Sequence, residues 1–326
     1  MNISEMKKKS VWIIRKIFTR LEGLHLRNNY FECGIIFLNI LLRSSILYPS
    51  ETYYNLTEPQ IRQLERIEEG FLRKLFQTTT GCPISQLYLE SGHTPARFAI
   101  KKGRLLFLKT ILEEKEESTI HRFLMLQFKN PTKGDWASSC IQDLKDLGMN
   151  LSLNEIKSLS KYTYSKLIKK SIQNKALEYL SEKKRSKGQE IEYKEIKMAD
   201  YLSPGYENIT INDQRNIFAM RNRMVDIPTN FKKEKSLEKC ACGDTENMKH
   251  IYTCILLNKG RKIEIEYEEI FQNDISKQLK ISKIFFQNLE ERVKQRVKNE
   301  QIKVSHEIQQ CDPLSSLTEC TVMDYK

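Results

Sequence analysis

The chain has 326 residues, with 54 Lys or Arg against 42 Asp or Glu, a formal net charge of +12. That length allows a sizeable core and more than one domain, and 40% hydrophobic with 29% charged residues excludes a disordered or fibrous chain. Only 12 Gly and 8 Pro argue against a loop-rich β protein, and the basic balance favours a polyanionic partner, of which RNA or DNA is the simplest.

The first 30 residues hold seven Lys or Arg against two Glu, and the apolar run Val11-Trp12-Ile13-Ile14 stops at Arg15-Lys16. That run is too short for a secretory signal. The longest uncharged apolar stretch, Cys33 to Leu42, is ten residues. A membrane span needs ~20, so the stretch predicts a buried helix, and the chain is expected to stay off membranes, in the nucleus or cytoplasm.

Thr57-Glu58-Pro59-Gln60 has the form of a capping box. Ile61, Leu64, Ile67, Phe71, Leu72 and Leu75 follow at spacings of three and four, which makes one apolar helix face. Asp135 is placed to cap a helix carrying Ile141, Leu144 and Leu147 and stopped by Gly148. Ser152-Leu153-Asn154-Glu155 repeats the capping box, and Leu167, Ile168, Ile172, Leu177 and Leu180 predict a long helix after it. Alternation at Ile191-Glu192-Tyr193 and Ile263 to Tyr267 is too short to distinguish strand from helix. The expected fold is therefore mostly α. Composition divides it into helical segments 1–130 and 131–227, a metal-binding segment 228–258, helices over 259–310 and a loose tail 311–326.

Between Lys157 and Lys197 stand twelve Lys or Arg and five Glu, a net of +7, with Tyr162, Tyr164, Tyr179 and Tyr193 interleaved. Basic residues with aromatic side chains among them suit phosphates and stacked bases. A solvated helix face with half-buried tyrosines accounts for the same pattern. The candidate contacts are Lys166, Lys169, Lys170, Lys183, Lys184, Arg185 and Lys187, joined by Lys232, Lys233 and Lys235.

Five of the eight cysteines stand alone; Cys240, Cys242 and Cys254 fall within 15 residues and enclose His250. C-x-C-x7-H-x3-C supplies the Cys3His set that zinc takes in structural sites, with no position left for a reactive water. Gly243 lets the chain fold back beneath the ion, and His250 and Cys254 share a face one helical turn apart.

Two-metal polymerases and nucleases hold their ions with paired carboxylates, and no Asp-Asp occurs in the sequence. P-loop, nucleophile-elbow and dinucleotide patterns are absent as well. His25, His93, His121 and His306 lack the neighbours of a triad and read as surface or capping residues. Neither catalysis nor a small-molecule substrate is expected.

Leu47-Tyr48-Pro49-Ser50-Glu51 resembles the L-Y-(G/A/P)-(S/A)-E segment that follows the polymerase core of non-LTR retrotransposon reverse transcriptases. Cys82-Pro83, Leu87-Tyr88-Leu89-Glu90-Ser91-Gly92, Gly134-Asp135-Trp136, Arg221-Asn222-Arg223-Met224, the C-x-C…H…C knuckle and Asp312-Pro313-Leu314 follow in that family's order. The likeness runs roughly from Val11 to Leu314, and its specificity lies in the order. It implies the helical thumb, connecting domain and zinc knuckle of such an enzyme without fingers or palm, able to grip nucleic acid and unable to polymerise. The competing expectation is a structural or interaction protein whose zinc only holds a helical fold.

Overall fold

The computed structural model describes residues 3–23, 29–48, 52–78, 81–132, 134–185, 191, 193–203, 209–225 and 239–310. The fold is mostly α, and among the described residues the only β pairings are two isolated bridges, Ser91 with Met198 and Lys239 with Thr245. Among the described residues no helix is long and apolar enough to cross a membrane. Two compact units emerge, Met1–Asp226 with Glu268–Leu279, and Ile227–Tyr267 with Lys280–Lys326.

The first unit holds α1 (Ile3–Gly23), α2 (Tyr30–Phe37), α3 (Glu58–Phe76), α4 (Ile84–Glu90), α5 (Ala96–Leu112), α6 (Thr119–Lys129), α7 (Trp136–Asp146), α8 (Leu153–Ser158), α9 (Lys161–Arg185) and α10 (Ile211–Arg221). The capping boxes at Thr57 and Ser152 form as expected, and the Asp135 carboxylate accepts from Ser138 N at 2.6 Å. The α3 stripe is the centre of the core, with Leu64, Phe71, Leu72 and Leu75 fully buried. Each such side chain contributes about 1.5–3 kcal/mol by leaving water. Phe18 of α1 meets Phe71, and Phe31 of α2 and Phe218 of α10 both meet Phe76. A Cβ on Gly34 would lie 2.5 Å from Leu75 Cδ1, so a larger residue there would have to displace the buried Leu75 side chain.

The Cys33–Leu42 stretch is not wholly buried. It runs from α2 into a π-helical turn, Leu38–Arg43, which buries Leu38 and Leu42 and leaves Ile36, Ile40 and Leu41 exposed. In α9 the buried positions are Tyr164, Ile168, Ile172, Ala176 and Leu180, each four apart; Leu167 lies on the exposed side, contrary to the expected stripe.

Two of the motifs behind the family likeness, Leu87–Gly92 and Arg221–Met224, have structural roles here. Glu90, fully buried, accepts from Tyr193 Oη at 2.6 Å, Tyr201 Oη at 3.1 Å and Arg221 Nε at 3.1 Å. Ala199 N donates to Glu90 O, and Gly92, at φ +68°, lies against Met198. A Cβ there would stand 2.2 Å from Met198 N. Gly92→Ala is therefore expected to cost about 1–3 kcal/mol from the left-handed backbone alone and more once the clash is counted; an unchanged urea midpoint would refute it.

Glu68 is the second buried carboxylate, held by Arg43 Nε at 2.6 Å and facing His93 Nε2 at 4.0 Å. Burial pushes Glu68 up and pushes His93 well below the ordinary imidazole value, so His93 is neutral. His93 and His121 are thus core residues and not surface ones. His121 Nδ1 reaches the Ile111 carbonyl at 3.2 Å. The side chains of His25 and His306 lie outside the described residues.

Candidate metal centre

The second unit contains α11 (Met248–Thr253), α12 (Ile255–Asn258) and most of α13 (Ile275–Gln310). The knuckle forms because Gly243, at φ +98°, turns the chain so that its N–H donates to Cys240 O at 2.8 Å. Cys240 N in turn donates to Asp244 O at 2.9 Å, and Lys239 bridges Thr245. The Asn247 side chain caps α11 by accepting from His250 N at 2.8 Å, and Cys254 N closes that helix on His250 O at 2.7 Å. One turn of helix thus presents His250 and Cys254 to the two knuckle cysteines.

The ligand atoms of Cys240, Cys242, His250 and Cys254 lie within 4.8 Å of one another. Cys240 Sγ is 3.7 Å from Cys254 Sγ, Cys254 Sγ is 4.0 Å from Cys242 Sγ, and Cys242 Sγ is 3.4 Å from His250 Nε2. A tetrahedral zinc ion with Zn–S of about 2.3 Å separates two sulfurs by about 3.8 Å, so the edges fit. A disulfide, at about 2.05 Å, is excluded for each of these pairs. The group can hold one tetrahedral ion with all four positions taken by protein, an arrangement suited to holding structure and not to activating water.

Comparison with protein-family models, with curated proteins and with solved structures finds no match.

The surroundings of the four ligands were not legible in the sequence. Asp244 Oδ2 stands 3.6 Å from His250 Nδ1 and so favours the ring orientation with Nε2 toward the sulfurs. Asn258 Nδ2 donates to Tyr252 O at 2.8 Å and to Cys254 O at 2.9 Å. Asn288 Nδ2 on α13 reaches Ile251 O at 2.9 Å and Asn258 Oδ1 at 3.1 Å. Glu246, buried beside the knuckle, pairs with Arg292 and with Arg296 at 2.8 Å. Ile281, Phe285, Asn288, Arg292 and Arg296 recur every three or four residues, so one face of α13 supplies first the core and then this polar clamp. Helices over 259–310 were expected from the sequence, but the partners of α13 some 40 residues earlier were not.

The basic candidates divide into two groups. Lys166, Lys169 and Lys170 are exposed on α9, opposite its buried stripe, and none has an ion-pair partner among the described residues. The Lys183, Lys184 and Arg185 side chains, and the whole of Lys187, Lys232, Lys233 and Lys235, lie outside the described residues. Of the four interleaved tyrosines only Tyr162 is free in solvent, at 76% exposure. Tyr164 is in the core, Tyr179 lies under the Arg97 guanidinium, and Tyr193 is committed to Glu90. At 100° per residue Tyr164 and Lys166 point to nearly opposite sides of α9, whereas Tyr162, four residues before Lys166, shares its exposed face.

Proposed function

We propose that this chain corresponds to the thumb, connecting and knuckle part of a non-LTR retrotransposon reverse transcriptase, that it binds nucleic acid without catalysing a reaction, and that zinc in the Cys240–Cys242–His250–Cys254 site holds its second unit together. The closed set of four ligands carries the zinc reading. Three observations support the nucleic-acid reading: the +12 net charge, the unpaired Lys166, Lys169 and Lys170 on one face of α9, and the ordered series of motifs. Glu90 and Arg221, which belong to two of those motifs, meet in a buried ion pair. Breaking such a pair costs several kcal/mol, a structural reason for both residue types to stand where they do.

The fully buried carboxylates Glu68 and Glu90 are consumed by Arg43 and Arg221, and neither is open to a substrate. Purified chain is expected to give no primer extension with magnesium or manganese, and incorporation that copurifies with it would refute the non-catalytic part of the proposal. Equilibrium binding of labelled RNA and DNA at several salt concentrations tests the rest. A structural role for zinc in a helical interaction protein predicts no salt-dependent binding in that titration.

A further inference from the structure

Helix α1 buries Ser10, Ile13, Ile17, Phe18 and Leu21 in the first unit and turns its other side to water. At the middle of that outer side is Trp12, 58% exposed. The positions three and four residues before and after it are Lys9, Lys8, Arg15 and Lys16, all exposed. A tryptophan is therefore surrounded on the helix surface by four cations. Lys16 Nζ stands 3.8 Å from the centre of the indole ring, and Lys8, Lys9 and Arg15 have no ion-pair partner among the described residues.

This arrangement is unfavourable in isolation. An indole exposed to this extent forgoes the burial that usually stabilises the residue, and the four cations gather one sign of charge around it. A ligand that brings anionic groups and flat rings together answers both features. We propose that this face of α1 is a stacking site for single-stranded nucleic acid, with Trp12 receiving a base and Lys8, Lys9, Arg15 and Lys16 the flanking phosphates.

Two other polyanions fit less of what is seen. An acidic peptide would neutralise the lysines and leave the indole without a stacking partner. A basic amphipathic helix on an anionic membrane inserts its apolar face, and the apolar face of α1 is already spent on the core, with Val11 the one other large apolar side chain exposed among the described residues of the helix. The inference shares its class of partner with the proposed function but uses a surface separate from Lys166, Lys169 and Lys170.

The two tryptophans of the chain allow a direct test. In the full chain carrying Trp136→Phe, tryptophan emission comes from Trp12 alone. Poly(U) is expected to quench most of that emission at low salt, whereas inorganic polyphosphate, which has the charge but no base, competes for the protein without quenching. Trp12→Ala is expected to weaken poly(U) binding by about 5- to 100-fold without changing its salt dependence, and Trp12→Phe to recover most of the loss. Because Trp12 is outside the core, circular dichroism should be identical in all three proteins.

Poly(U) binding without quenching overturns this site and leaves the nucleic-acid reading intact. Equal quenching by polyphosphate also overturns it. A blue shift of Trp12 on phosphatidylserine vesicles assigns the face to membranes instead. Quenching that survives loss of Lys166, Lys169 and Lys170 with no change in affinity sinks the α9 surface and leaves this one. No binding at all overturns both.

Discussion

Protein purified without chelator is expected to carry one zinc ion per chain, and Cys254→Ser to lose it together with the order of the second unit. Apparent binding free energies of structural zinc in small domains are about 10–16 kcal/mol, and where no site preexists in the unfolded chain that energy is folding energy. Residues 239–258 contain only two short helices and one isolated β bridge, so apart from the clamp from α13 little holds the knuckle closed. Loss of a ligand should leave the α1–α10 unit folded, since its core around α3 shares no residue with the site. Hydrogen exchange that accelerates across α11 and α12 while staying slow in α3 and α5 is the expected signature. A graded control is Asn288→Ala, which keeps all four ligands and removes the donor to Ile251 O and to the Asn258 side chain that holds Cys254 O. It should cost about 1–3 kcal/mol and lower zinc affinity about 10-fold or more. Full zinc content in Cys254→Ser protein would refute the site.

Replacing Lys166, Lys169 and Lys170 together with Ala is expected to flatten the salt dependence of nucleic-acid binding. Each phosphate contact releases a counterion, so log K falls with log salt by ~0.7 per contact on single strands and ~0.9 on duplex DNA. If each lysine neutralises one phosphate, three lost contacts reduce the slope by about 2 on single strands and by nearly 3 on duplex. The helix should be unharmed, because the three side chains are exposed, have no ion-pair partner to lose, and are exchanged for the best helix former. The opposing view, that these lysines only solvate α9, predicts an unchanged slope. Titration of labelled single strands and duplex at four or more salt concentrations separates the two, and an unchanged slope in the variant removes α9 from the interface.

The sequence by itself determined the helical class, the capped starts of α3, α7 and α8, the α3 stripe and the four-residue metal pattern. Each is set by spacing within one or two helical turns, where backbone geometry leaves little choice. The pairing of Glu90 with Arg221, 131 residues apart, was decided only by tertiary structure, as was that of Glu68 with Arg43. A lone Glu in an apolar helix reads as a surface residue until its partner arrives from elsewhere in the chain. The same limit hid the burial of His93 and the clamp of Glu246, Asn258 and Asn288 around the knuckle. Tyrosine stayed ambiguous for a related reason: its ring serves equally on a basic surface and in a core, and position around α9 placed Tyr164 inside and Tyr162 out. At Trp12 the reverse holds. Its four cationic neighbours are fixed by helical spacing, but only the packing of Ile13, Ile17 and Phe18 against the core determines that the indole faces water.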